Sequence, residues 1–185
     1  MSSPAITIFG SSRVQRGTPE YQAAEHLGRG LAERGFAVVT GGYSGVMEAV
    51  SRGAKQGGGR AIGVTTQVVA RQFERTPNEF LDQEIQTAAL LERIDRLIEL
   101  GSAYVVLPGG SGTLAELGVV WNLGFLGALH GKPIVVVGNG WQSVLRTMQH
   151  ELHAVEAELQ TLTLVPDVEA ALETLSAAVN GRPSA

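Results

Sequence analysis

The sequence predicts an α/β protein, a doubly wound parallel sheet with helices on both faces. Three observations predict it. Short apolar, β-rich runs alternate with helical patterns over the whole chain, the arrangement that builds a parallel sheet from crossover units. Runs such as Ala5-Ile6-Thr7-Ile8-Phe9 and Ala103-Tyr104-Val105-Val106-Leu107 are nearly continuous in apolar residues, as strands covered on both faces are. Three strand-to-helix turns carry glycine, at Gly10, Gly41 to Gly45 and Gly109 to Gly112, and in such a sheet these turns open on the edge where ligands bind.

Taken in order, Ala5 to Phe9 is the first strand, and Gly10-Ser11-Ser12-Arg13 is its ligand-facing turn. Thr18-Pro19-Glu20 supplies an N-cap, a proline at the first helical position and an acidic first turn, so a helix runs from there to Arg34 and stops at Gly35. Phe36 to Thr40 is the second strand. It ends in Gly41-Gly42-Tyr43-Ser44-Gly45, and Val46-Met47-Glu48 opens a helix that closes at Gly57-Gly58-Gly59, where glycine suits a left-handed cap. Ala61 to Val64 is the third strand. Residues 65–81 show no clean period and read as a loop with some helical turns, suited to covering a site. Glu84-Ile85-Gln86 is a short strand, Thr87 to Leu100 a helix, and Ala103 to Leu107 the fifth strand. Leu114 to Leu129 is helical, Pro133 to Val137 a strand, Trp141 to Leu159 helical and Thr161 to Val165 strand-like. A final helix covers Asp167 to Val179, with Asp167 as its N-cap.

The chain has 185 residues with 44% hydrophobic content and no Pro/Ser/Gly-rich linker, which reads as a single domain over residues 1–185. A net charge of −4 without a basic run argues against a nucleic-acid surface. No cysteine is present, so disulfides and thiol catalysis are excluded. No apolar run approaches the roughly 18 residues of a membrane span. Met1-Ser2-Ser3-Pro4 leads into a strand without a signal pattern, so the expected location is cytoplasmic. His26, His130, His150 and His153 lie in or beside predicted helices away from the glycine turns. His150 and His153 have i,i+3 spacing but no third ligand, so no metal is expected.

The stretch Pro108-Gly109-Gly110-Ser111-Gly112-Thr113, with Glu116 beyond it, joins a buried strand to a helix start. Its glycines let the main chain approach a ligand, and the free N–H groups of a first helical turn favour an anion such as phosphate. Thr113-Leu114-Ala115-Glu116 is also a capping box, in which Thr and Glu only satisfy orphan N–H groups. The local pattern leaves both readings open. No G-x-G-x-x-G follows the first strand and no Walker lysine follows Gly112, so a mononucleotide fits better than NAD or ATP, and no cofactor is expected.

In the helix before the fifth strand, spacing of about 100° per residue puts Leu90, Leu91, Ile94, Leu97 and Ile98 on one face. Glu92, Asp95, Arg96 and Glu99 fall opposite, with Glu92 and Arg96 at the i,i+4 spacing of a surface pair. Arg93 lies on the border, half-covered and aimed along the sheet edge, or else snorkelling at the surface.

Together these features resemble the LOG (LONELY GUY) family, whose characterised members are cytokinin riboside 5′-monophosphate phosphoribohydrolases and which was formerly labelled lysine decarboxylase. The resemblance runs from Ile6 to Leu175, and its most specific element is P-G-G-x-G-T-x-x-E, met in full by Pro108 to Glu116. Phe9-Gly10-Ser11-Ser12, Gly41-Gly42 with Gly45-Val46-Met47, Gly58-Gly59-Arg60 and Glu92-Arg93 support it. The resemblance implies a Rossmann-like fold, a homodimer, and hydrolysis of the N-glycosidic bond of a purine nucleoside 5′-monophosphate (AMP or cytokinin-type) to free base and ribose 5-phosphate. It makes Arg93 and Glu116 the catalytic pair. Gly109, Gly110, Ser111, Gly112 and Thr113 would hold the phosphate, and Gly10, Ser11, Ser12, Gly41 and Gly42 complete the phosphate and ribose site. Met47 and Asn122 are the candidates for the base pocket.

Two positions depart from the family: its usual Arg-Lys is Arg93-Ile94 here, and the loop from Gly41 to Met47 is shorter than in the plant enzymes. Phosphate and ribose recognition survive these changes better than base specificity. The alternative is a nucleotide-binding regulatory module without useful catalysis. The decarboxylase label fails on the residues, because a pyridoxal phosphate enzyme needs a Schiff-base lysine. Only Lys55 and Lys132 exist, neither at the ligand edge.

Overall fold

The computed structural model describes residues 3–152 and 155–180, so His153 lies outside the described residues. Seven parallel strands form one sheet: β1 (Ala5–Phe9), β2 (Ala37–Thr40), β3 (Ala61–Thr66), β4 (Gln83–Thr87), β5 (Ala103–Val106), β6 (Ile134–Val137) and β7 (Thr163–Val165), in the order β4-β3-β2-β1-β5-β6-β7. From β1 the chain moves outward to β4, then returns to place β5 on the other side of β1. The β1/β5 boundary is therefore the topological switch point, where loops diverge and leave a crevice at the C-terminal edge.

Alternation along the strands divides the core in two. Ile6, Ile8, Val38, Val105 and Val135 pack under α1 (Pro19–Glu33), α2 (Val46–Gln56) and α8 (Val168–Asn180). Phe9, Val39, Val64, Tyr104 and Val136 pack under α4 (Leu90–Leu100), α5 (Ser111–Phe125) and α6 (Asn139–Glu151). This is the doubly wound arrangement that near-continuous apolar strands demand. The expected caps form. Thr18 accepts from Tyr21 N–H ahead of Pro19, Asp167 Oδ1 accepts from Ala170 N–H at 3.0 Å, and Gly35 and Gly58 adopt φ of +84° and +74° beyond the ends of α1 and α2.

Several expected boundaries shift. β3 continues to Thr66 and is followed by α3 (Gln67–Phe73), a short helix with no buried residue and hence no periodic apolar stripe for the sequence to reveal. Thr87 ends β4 and does not begin α4, its hydroxyl donating to Thr65 O at 2.9 Å. The expected helix from Trp141 to Leu159 is two, α6 and α7 (Glu156–Leu159). The Glu92–Arg96 pair does not form, because Glu92 turns back to accept from the N–H groups of Ala88 and Ala89, leaving Arg96 to Glu99 at 2.6 Å. Leu90 and Leu91, expected on the apolar face, are 46% and 75% exposed at the start of α4.

Candidate active site

At the C-terminal edge of β1 and β2 a cavity of about 520 Å³ opens between the β1–α1 turn, the β2–α2 turn and the start of α5. The β1–α1 turn is tied to both others: Ser11 N–H donates to Pro108 O at 3.2 Å, and Val46 N–H donates to Ser11 O at 2.9 Å. Close packing at Gly45 makes this possible, for a Cβ there would lie 2.4 Å from Ser11 O, and its φ of +73° favours glycine.

Helix α5 begins at Ser111, three residues earlier than its apolar pattern suggests, with Gly110 as an N-cap that supplies no side-chain bond. The first intrahelical bond from this cap runs from Leu114 N–H to Gly110 O at 2.9 Å, so the N–H groups of Ser111, Gly112 and Thr113 face the cavity end of the helix without an intrahelical partner. A capping box between Thr113 and Glu116 does not form. Thr113 is the third helical residue, buried against Gly109, where a Cβ would lie 2.1 Å from the threonine hydroxyl. Glu116, the sixth, is free of capping and reaches Arg93.

Arg93 Nη1 lies 3.5 Å from Glu116 Oε1, with both side chains nearly enclosed. The expectation of a half-covered Arg93 is corrected: the residue is 7% exposed. The ends of two strands, not its own helix, cover it. Nε donates to Val64 O at 2.8 Å, Nη2 donates to Gly41 O at 3.1 Å, and the guanidinium carbon sits 5.8 Å from the centre of the Tyr43 ring. Gly41 leaves the room, since a Cβ on it would come within 1.7 Å of Arg93 Nη2.

Burial pushes the Glu116 carboxyl up to about 7, with the Arg93 charge opposing that rise. Burial likewise lowers Arg93, against the charge of Glu116. Both partners thus feel desolvation more than their mutual attraction. The guanidinium remains charged, and the carboxyl changes charge near neutral pH.

Of the residues singled out from sequence, Gly10, Ser11, Ser12, Gly41, Met47, Arg93, Gly110, Ser111, Gly112, Thr113 and Glu116 line this one cavity. Three do not. Gly42 is turned into the loop, where its carbonyl accepts from Asn78 N–H at 2.8 Å and Asn78 Nδ2 at 3.1 Å. Gly109 lines an adjoining, mainly apolar recess of about 600 Å³ between α1 and α8. Asn122 lines a separate recess with Trp121 and Phe125, because six residues beyond Glu116 is about 120° round α5 and about 9 Å along it. Ile94 is packed in the core, so its difference from the family's lysine alters no cavity wall.

Sequence reasoning missed Tyr43, while Val69, Phe73 and Arg75 bring the 65–81 segment to the cavity rim, where it was expected as a cover without its residues being named. Tyr43 could have been found, since it sits inside the second glycine turn. Lys55 pairs with Asp82, and neither Lys55 nor Lys132 lines the cavity. Among the described residues no three His, Cys, Asp or Glu side chains cluster as a metal site, and no helix is long and apolar enough to cross a membrane.

Residues 3–171 match the model of the SLOG cluster4 family. Over 157 residues, 82% of each chain, the sequence is 31% identical to the cytokinin riboside 5′-monophosphate phosphoribohydrolase of Mycobacterium tuberculosis. It is 28% identical over 179 residues, 92% of this chain and 88% of the other, to the protein of the same name from Rhodococcoides fascians. Among solved structures, the molybdenum cofactor binding protein of Rippkaea orientalis superposes with a TM-score of 0.74 over 97% of this chain and 99% of the other. At 22% identity that likeness is one of fold.

Proposed function

The chain belongs to the SLOG cluster4 family and, with its curated relatives, to the LOG family, and from that premise we propose that it hydrolyses the N-glycosidic bond of a purine nucleoside 5′-monophosphate. One observation carries the reading. A buried carboxylate and a guanidinium, 3.5 Å apart, share a cavity with the open first turn of a helix. The phosphate takes the N–H groups of Ser111, Gly112 and Thr113, where the helix dipole favours negative charge. The ribose then reaches Arg93 and Glu116. As the C1′–N9 bond breaks, its electron pair leaves with the base and positive charge grows on the ribose ring, which the Glu116 carboxylate stabilises. Water adds to C1′, and its proton passes to Glu116 and on to solvent or base. A carboxyl that titrates near 7 suits that exchange at neutral pH. Arg93 cannot act as base; it holds substrate oxygens and favours the ionised form of Glu116 against the effect of burial.

The substrate class is AMP or an N6-modified AMP, as the names of the relatives suggest. The functional unit is a single domain that pairs with a second copy. Leu114, Val119, Phe125 and Leu126 expose 38–66% of their surface along and just beyond α5, and a helix apolar all round calls for a second covering. A cytoplasmic location fits a nucleoside monophosphate substrate. Chromatography of products from AMP and N6-prenyl AMP tests the activity. Glu116→Ala abolishes release of the base while nucleotide binding, followed by calorimetry, is partly kept. A Glu116→Ala protein with wild-type turnover overturns the role given to the carboxylate, and tight binding without product in the wild type leaves a regulatory module.

A further inference from the structure

We propose that Tyr43 is a positioning residue that fixes the Arg93 guanidinium against Glu116. Tyr43 is 1% exposed and sits in the β2–α2 turn, so its side chain runs across the sheet edge to the end of β3. Its hydroxyl donates to Thr66 O at 2.9 Å and accepts from Thr66 N–H at 3.0 Å. Thr66 is fully buried and its own hydroxyl has no hydrogen-bond partner, so Tyr43 is the side chain that ties this residue down. Two residues earlier, Val64 O receives Arg93 Nε. The same phenol ring lies beside the guanidinium, 5.8 Å from centroid to carbon. One side chain therefore fixes both the strand end that accepts from Arg93 and the flat surface its cation rests on.

The consequence reaches Glu116. Its charged and titratable surroundings are Arg93 from α4, Tyr43 from the β2–α2 turn, and Arg13 and Arg75 elsewhere on the cavity wall. Of these, Arg93 is the one in contact. If Arg93 loosens, the carboxylate loses the charge that opposes its burial, and its protonated form persists to higher pH. Phenylalanine keeps the ring but takes away the hydroxyl that pairs with the buried Thr66 N–H; leucine removes both supports.

The proposal rests on the phosphoribohydrolase reading only for its kinetic arm. Tyr43→Phe, Tyr43→Leu and the control Tyr104→Phe are compared with wild type. The control also deletes a buried tyrosine hydroxyl bonded to backbone, Ile98 O at 2.8 Å, but it lies outside the cavity. Carboxyl-carbon NMR of glutamate-labelled protein, with Glu116 assigned from Glu116→Gln, follows the titration directly. The Glu116 midpoint rises in both Tyr43 variants and stays at the wild-type value in Tyr104→Phe. With AMP, kcat at pH 7 falls about 10-fold in Tyr43→Phe and about 100-fold in Tyr43→Leu, recovers partly at pH 8.5, and KM changes less than about 2-fold. A Glu116 midpoint in folded Tyr43→Phe equal to that of wild type and Tyr104→Phe overturns the proposal. Should Tyr43→Leu not fold, Tyr43→Phe decides alone. Should the wild type release no base from any nucleotide, the hydrolase reading falls while the NMR titration still decides the role of Tyr43.

Discussion

Two glycine-rich turns face each other across the cavity, and they use glycine for opposite reasons. In the β2–α2 turn, glycines make room for the protein itself. A Cβ on Gly41 would strike Arg93, one on Gly42 would lie 2.8 Å from the Thr65 methyl, and one on Gly45 would meet Ser11 O, while Gly42 and Gly45 both have positive φ. At the head of α5, a Cβ on Gly110 or Gly112 would meet nothing within 4 Å, and neither residue has positive φ. Packing accounts for the first set and for Gly109, but not for Gly110 and Gly112, which line the cavity with open space before them. That contrast separates glycines fixed by packing from glycines that border the cavity within one sequence signal.

The comparison breaks most sharply at Gly41. In Gly41→Ala the new methyl cannot coexist with Arg93 Nη2 at 1.7 Å or Met47 Sδ at 2.6 Å, so the guanidinium must leave its place over Gly41 O. The expected loss in kcat/KM is at least about 100-fold, since misplacement by about 1 Å has effects of that order. Overpacking lowers stability by about 1–3 kcal/mol. Steady-state kinetics with a thermal melt checks both, and a fully active, stable Gly41→Ala protein would remove the scaffold role of this turn.

The pair that this scaffold holds should itself be destabilising. Glu116 has an ordinary value of 4.5 raised to about 7 in the fold, so between these limits the native state binds more protons than the unfolded chain. Stability therefore falls as pH rises from about 4.5 to about 7, by up to about 3 kcal/mol, and stays level above. Glu116→Gln removes that penalty. Urea denaturation should find the variant about 1–3 kcal/mol more stable than wild type at pH 8, with the gap closing toward pH 4.5. An unchanged gap across that range would mean that Glu116 does not carry the raised carboxyl. A gain in stability on losing the reactive group is what an active site held together at the fold's expense predicts.

Much of this was legible in the sequence because sheet edges and glycine turns leave local marks. The seven strands, the caps at Thr18 and Asp167, and the convergence of Gly10, Gly41 and Gly110 to Gly112 follow from periodicity and turn chemistry. What was not legible came from contacts distant in sequence. A helical wheel sees only α4, so it placed Arg93 at a border, whereas Val64 and Gly41, 29 and 52 residues away, bury it. The start of α5 was hidden because Ser111-Gly112-Thr113 are weak helix formers, and tertiary context overrides that weak preference. The residue type of Asn122 does not reveal its direction on α5, about 120° round from Glu116 and into a separate recess.

The smallest effect is the most discriminating test of the open turn. Gly112 is the second residue of α5, at ordinary negative φ, with free space where a Cβ would stand. Replacing it with alanine removes backbone freedom from the unfolded chain and adds a good helix former, which stabilises by about 0.5–1 kcal/mol and raises Tm by about 1–4 °C. The same methyl would stand where a phosphate must approach the first-turn N–H groups. Gly112→Ala should therefore melt higher than wild type while KM for AMP rises about 10-fold and kcat changes little, because the methyl opposes binding and leaves the Arg93–Glu116 pair untouched. Inorganic phosphate should protect the wild type in a thermal shift and protect the variant less. If Gly112→Ala gains stability and loses no affinity, the space before α5 is not the phosphate site, and the two glycine turns differ only in how tightly the protein packs around them.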